Sequence, residues 1–327
     1  AARSPPLAAL ALACVGAPAV AGAIAGGGAD DPPGREATRP ERAEPPLENA
    51  PPKIAAYMPG PQEEIPRGKR LAAKVTQAAL TYGRHTTRAE HIGSLRRFGG
   101  SLDKAELAYV HDPQSRSWAK IIYPQLSGYT GDTMGAMVVV RQTREGETGQ
   151  RHSQTRVADI RLVLEGEEWR LSEIASLGGK PAPRPTSLSE TERAVLDHPR
   201  IALPDSARWD IYRGTIEPNL LLALAQAADQ AKIAVTVLVT GHPPNVWATD
   251  RPSAHASGYA ADIYAVDGTT VIDQRQPGTP AYDLTQTFLT SGAAQVGSPW
   301  ILSPGAPQSF TDDVHQDHLH LQQTGLP

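Results

Sequence analysis

Three of the chain's ten histidines fall within the six residues His315-Gln-Asp317-His318-Leu-His320, and this stretch constrains the fold more than any other. In an extended strand successive side chains point to opposite faces, so His318 and His320 share one face while Leu319 and Leu321 enter a core behind them. A strand that presents two imidazoles lines a cavity, and partners must meet them there. The segment Ser253-Ala-His255-Ala-Ser-Gly258-Tyr-Ala-Ala-Asp262 supplies such partners. His255 ends a loop, Asp262 lies in the strand that follows, and Gly258 between them can take the backbone angles that fold the loop back. The fold must therefore bring two sequence-distant segments to one point.

Composition narrows what that point can be. The single cysteine, Cys14, excludes an intrachain disulfide framework and any thiolate metal site, so a metal would be held by histidine and carboxylate. Net charge is −4 and no run of Lys or Arg forms a phosphate-tracking surface, which argues against nucleic acid as a partner.

The 327 residues suffice for two modest domains, or for one domain with appendages, and length alone does not choose between them. Residues 1–25 contain the apolar stretch Leu7–Ala25 and read as an export signal or a single membrane anchor, with a lipid-modified Cys14 as a third option. Residues 26–66 are rich in Pro, Glu, Arg and Ala and read as a disordered tether, since they cannot bury enough apolar surface to offset their ordering entropy. The chain is accordingly expected to be exported, and either secreted or held at the membrane. Residues 67–178 read as a small domain of helices followed by strands. Leu71, Val75, Ala78, Ala79 and Tyr82 repeat at helical spacing, Ala136–Gln142 and Thr155–Glu165 read as strands, and Glu165-Gly166-Glu-Glu168 turns into a last strand carrying Trp169. This helix-then-curved-sheet order resembles the nuclear-transport-factor-two-like superfamily.

Residues 179–190 read as a linker, and 191–327 as one compact domain. Its expected elements are a helix at Glu217–Lys232, a strand at Val235–Thr240, a strand at Ala261–Val266, a helix at Ala281–Ala293 and a terminal strand at His318–Gln322. The fold class is α+β: an antiparallel sheet with helices on one side, preceded by the smaller helix-plus-curved-sheet domain.

Two imidazoles and a carboxylate with a fourth position open to water make a catalytic zinc coordination, and zinc generates a nucleophile from water at neutral pH. The pair Ser-x-His-x-x-Gly-x-Ala-x-Asp and Asp-His-x-His is similar to the signature of the LAS metallopeptidases: lysostaphin-type enzymes, D-Ala-D-Ala peptidases and the hedgehog N-terminal domain. It is nearest to D-Ala-D-Ala carboxypeptidases and penicillin-insensitive murein endopeptidases. The resemblance implies Zn2+ held by His255, Asp262 and His320, with His318 beside it as an assisting residue. It also implies Asp317 or His315 as the group that takes a proton from water, although strand alternation points Asp317 away from His318 and His320.

The implied activity is hydrolysis of peptide bonds in peptidoglycan stems by metal-activated water. The alternative is a catalytically silent, zinc-stabilised module that binds peptidoglycan or a protein. Many relatives carry an arginine upstream of the first ligand that binds the substrate carboxylate, where this chain has Thr240-Gly241-His242-Pro243-Pro244. That departure shifts weight toward an endopeptidase or toward Arg251 in the arginine's place. Ser253, His242, Trp247 and Tyr259 complete the expected substrate-binding set.

Overall fold

The computed structural model describes residues 49–305 and 307–324. The expected signal or anchor, and most of the expected tether, lie outside the described residues. Among the described residues no helix is long and apolar enough to cross a membrane.

The first half is helix then sheet, in the order α1 (Pro66–Ala79), α2 (Arg88–Leu95), β1 (Ser101–Leu102), α3 (Lys104–Val110), β2 (Arg116–Tyr129), β3 (Thr133–Glu145), β4 (Arg151–Glu165) and β5 (Glu168–Ser176). Proline at its first turn starts α1, which buries Ala72, Ala73, Val75 and Ala79 at helical spacing against the sheet. Thr87 and Glu90 form a reciprocal capping box that starts α2. The strands order as β1-β5-β4-β3-β2; all pair antiparallel except β1 with β5, and β2 is bulged twice. The long edge strand β2 has no counterpart in the expectation from sequence. Burial alternates along residues 116–123, but Ser117 and Gln125 are buried while Trp118 and Ile122 are only half-buried, so hydrophobicity does not follow the period of 2. Part of the stretch read as tether belongs here. Asn49 accepts from Arg84 N–H, Ala50 from Arg116, and Tyr57 and Glu63 reach toward the sheet.

The second half runs α4 (Glu190–Leu196), β6 (Ile201–Ala202), α5 (Asp205–Tyr212), α6 (Pro218–Gln230), β7 (Ile233–Val237), β8 (Ala260–Val266), β9 (Thr269–Thr270), α7 (Pro280–Thr290), β10 (Gln295–Gly297), β11 (Ser309–Phe310) and β12 (Leu319–Gln322). Its sheet orders β11-β10-β12-β8-β7-β6, with β9 paired to β8. The centre is antiparallel as expected, but both rims pair parallel, β6 with β7 and β10 with β11. The architecture is thus mixed α+β with two separate sheets. Leu319 and Leu321 are fully buried in a core shared with Leu220, Leu224, Ile263 and Phe288.

Contacts between the two sheets are specific. Trp247, on the loop after β7, lies against Gly128 of β2 and Gly135 of β3. A Cβ on Gly128 would stand 2.0 Å from the indole Cγ, and one on Gly135 would stand 2.7 Å from its Cζ3. The indole N–H donates to Thr133 Oγ1 at 3.1 Å. Tyr123 stacks on Tyr264 of β8 at 5.4 Å, and Met137, Val157 and Val237 form a small shared apolar cluster.

Candidate metal centre

Three neighbouring backbones build the site. Asp262 is central in β8 and lies opposite His320 of β12 in antiparallel register, with Val237 of β7 on its other side. Cross-strand partners have Cβ atoms about 5 Å apart, close enough to share one ion. The observed Asp262 Oδ1 to His320 Nδ1 distance is 3.0 Å. His255 arrives from a short 3-10 turn, Ala254–Ser257, which Ser253 caps by accepting from the His255 N–H. Gly258 ends that turn at φ 76, and a Cβ there would meet Thr215 O at 2.0 Å, so only glycine lets the loop close down. His255 Nδ1 donates to Leu238 O at 2.7 Å, which fixes the tautomer and leaves Nε2 free as a donor to metal. That Nε2 is 3.2 Å from His320 Nδ1 and 3.2 Å from Asp262 Oδ1.

The sequence reading placed His242 among the substrate contacts. In the structure it belongs to the donor cluster itself. His242, His255 and Asp262 offer ligand atoms that all lie within 4.8 Å of one another, and the His242 ring stacks on His255 at 4.0 Å. Its Nδ1 donates to Pro243 O at 2.6 Å, so Nε2 again remains available. The chemistry of this donor set, one buried and two half-buried imidazoles about a buried carboxylate, fits a metal ion.

Electrostatics agree with that chemistry. Burial works to raise the Asp262 carboxyl, but His255, His318 and the hydrogen bonds it accepts hold it well below the usual carboxylate range. Burial, and then the neighbouring His255, press His242 well below the ordinary imidazole value. His320 falls to about 4, mainly through burial and against the pull of Asp262. His242 and His320 are therefore unprotonated at neutral pH, as metal binding requires.

His318 stands just ahead of β12, buried, with Nε2 3.8 Å from Asp262 Oδ2. Its Nδ1 bonds Asp317 Oδ1 at 2.7 Å, and burial is outweighed by Asp262 and Asp317, so its pKa is raised. Asp317 also precedes β12 and is fully buried. Its other oxygen accepts from Lys69 Nζ at 2.6 Å and from the Leu126 N–H at 2.9 Å. His315 sits on the opposite, open side with Nδ1 bonded to Asp312 Oδ1 at 2.7 Å, its ring 4.9 Å from that of His318. Gly297 makes room for it, since a Cβ there would come within 2.6 Å of the imidazole.

His242, His255, Asp262, His315, His318 and His320 line a cleft of ≈ 630 Å³, into which Arg251, Trp247, Tyr259 and Phe310 also project. Ser253 lines it too, but its hydroxyl is engaged in capping. Leu126–Tyr129 of β2 form the far wall, so the cleft lies between the two sheets. Gln125 and Lys69, both of which reach the site's carboxylates, carried no sequence signal of doing so. No known protein family matches the chain, and neither does any curated protein or solved structure.

Proposed function

We propose that this protein is a zinc-dependent peptidase that hydrolyses peptide bonds in cell-wall peptidoglycan stems, acting outside the cytoplasm. The observation that carries the reading is the donor triangle of His255 Nε2, Asp262 Oδ1 and His320 Nδ1, with edges of 3.2, 3.2 and 3.0 Å. Ligand atoms about 2.05 Å from a tetrahedral zinc stand about 3.3 Å apart, so one face of a zinc tetrahedron matches the triangle. Zinc bound there would make water nucleophilic at neutral pH and polarise a peptide carbonyl.

The residues around the triangle have the complementary chemistry. His315, oriented by Asp312 and facing the open cleft, is placed to take the proton of an attacking water and return it to the leaving amine. His318, with its raised pKa, is suited to donate to the developing oxyanion. Asp317 has both oxygens committed to Lys69, Leu126 and His318, so its role in this scheme is to orient His318. Arg251, exposed at the cleft, is the cation available to a substrate carboxylate.

His242 favours a second reading. If its Nε2 completes the coordination, the site closes with four protein ligands and becomes a structural zinc within a binding module. Incubating the protein with murein, with and without chelator, tests the proposal. Zinc-dependent appearance of new amines supports the peptidase, and their absence from zinc-loaded protein refutes it. Substituting His242→Ala separates the two coordinations, because a closed site loses zinc and an open one keeps it.

A further inference from the structure

Gln125, near the end of β2, is fully buried and reaches the donor cluster from the first sheet. Its Nε2 donates to Asp262 Oδ2 at 2.8 Å, and its Oε1 accepts from the hydroxyl of Thr236 on β7. Because the Asp262 carboxylate can only accept, it fixes the amino end of the amide, which cannot turn round, and the Thr236 hydroxyl donates to the oxygen end. The two oxygens of Asp262 therefore have separate partners: Oδ1 faces His255 and His320, while Oδ2 faces Gln125, with His318 Nε2 at 3.8 Å. The same arrangement recurs at Asp317. Lys69 of α1 and the Leu126 N–H of β2 occupy its Oδ2 at 2.6 and 2.9 Å, which leaves Oδ1 to hold His318 Nδ1 at 2.7 Å.

We propose that the first sheet and its helix α1 complete the metal centre. In this arrangement Gln125 is the positioning residue that restricts Asp262 to one-oxygen coordination, and Lys69 is the one that aims His318 through Asp317. The inference rests on the reading of the cluster as a zinc site. A carboxylate free to swing would bind metal through both oxygens and consume the position that water needs. A hydrogen bond to the outer oxygen removes that option, and such partners of metal ligands commonly change affinity or activity by about 10–100-fold.

The test uses the full chain with zinc alone, then with cobalt(II) as a spectroscopic replacement. Gln125→Leu should bind zinc roughly 10–100-fold more weakly. Its cobalt(II) form should absorb less strongly in the visible, the signature of a coordination number raised above that of a tetrahedral site. Thr236→Val, which keeps Gln125 and frees its amide, should shift both readouts in the same direction by less, and it stands in for Gln125→Leu if that variant does not fold. Lys69→Met should leave zinc affinity intact and lower kcat with KM unchanged. Wild-type zinc affinity and cobalt spectrum in both Gln125→Leu and Thr236→Val overturn the inference alone. A wild-type protein that takes up no zinc overturns the metal reading and the inference with it.

Discussion

Replacing Lys69 by Met isolates the energetic cost of leaving charge unpaired beneath the site. The Lys69 side chain is 0% exposed, that of Asp317 is 0% and that of Glu63 is 4%, and the ammonium bridges the two carboxylates. Methionine preserves most of the stem's volume, so the loss is electrostatic and not a cavity. Removing one partner of a buried ion pair costs about 3–5 kcal/mol, because the remaining charge stays desolvated without compensation. Asp317 retains the Leu126 N–H and His318, and Glu63 retains the hydroxyls of Tyr57 and Tyr123, so the lower half of that range is expected. Even about 3 kcal/mol is a large fraction of the roughly 5–15 kcal/mol that holds a domain folded.

Urea unfolding of metal-free protein, followed by tryptophan fluorescence, measures the difference without a contribution from zinc binding. The combined variant Glu63→Gln, Lys69→Met, Asp317→Asn should recover most of it, since none of the three positions then carries a charge. The pH dependence has a definite sign. Burial tends to raise the Asp317 carboxyl, but Lys69 and His318 bring it below its ordinary value, so its stabilising contribution is present above about pH 4 and is lost as pH falls through the folded value. The gap between wild type and Lys69→Met should accordingly narrow below about pH 4. A Lys69→Met cost under about 1 kcal/mol, or a triple variant as unstable as the single one, would refute the reasoning.

Three further outcomes are expected. His320→Ala should lose zinc on dialysis whereas His318→Ala should retain it and lose turnover; equal zinc loss in both contradicts their assignment as ligand and helper. Gly258→Ala should destabilise by about 1–3 kcal/mol by overpacking and also weaken zinc binding, because its Cβ would meet Thr215 O at 2.0 Å in the turn that carries His255. Unchanged zinc affinity in a folded Gly258→Ala protein would show that the turn does not set the ligand. Zinc at about a thousand times its dissociation constant should stabilise by about 4 kcal/mol, or on the order of 10 °C in Tm, and chelator should reverse the shift in a calorimetric scan.

What the sequence reveals is set by how local its causes are. Leu319 and Leu321 alternate with His318 and His320 in sequence as they do in space, and α1, α6 and α7 follow helical periodicity, so these elements are legible residue by residue. Gly258 is legible for the same reason, since a turn is a local object. Gln125 and Asp262 are separated by 137 positions and Lys69 and Asp317 by 248, so no window contains either pair. Lys69 lies in a helix whose other basic residues are exposed, and nothing in its neighbourhood in sequence marks it as buried. His242 looks like a turn residue before two prolines. Its place in the cluster arises because Asp210 of α5 holds the Val239 and Thr240 N–H groups and brings the chain back beside His255. The segment from Asn49 to Ile65 looked like tether because its composition is polar and proline-rich, yet Glu63 finds Lys69, Tyr57 and Tyr123 as partners and is buried by them.

The distribution of these partners implies a division of labour across the cleft. Apart from Asp317, which holds His318 from the segment before β12, the groups that fix metal-facing side chains come from regular elements or from the main chain: Gln125 and Leu126 from β2, Lys69 from α1, Leu238 just past β7, Thr236 within it. Such elements hold a donor to fractions of an ångström, as a coordination site demands. The groups left facing the open side, His315, Arg251, Trp247 and Tyr259, all sit on connecting segments, where side chains can adapt to a substrate. Trp247 links the two sets, because its indole is seated on Gly128 and Gly135 of the first sheet while its loop carries Arg251 at the cleft. Enlarging either glycine would therefore disturb substrate contacts before it disturbed the donor triangle, raising KM at unchanged zinc content. Loss of Gln125 would act in the reverse order, and that contrast separates the binding side of the cleft from its metal side.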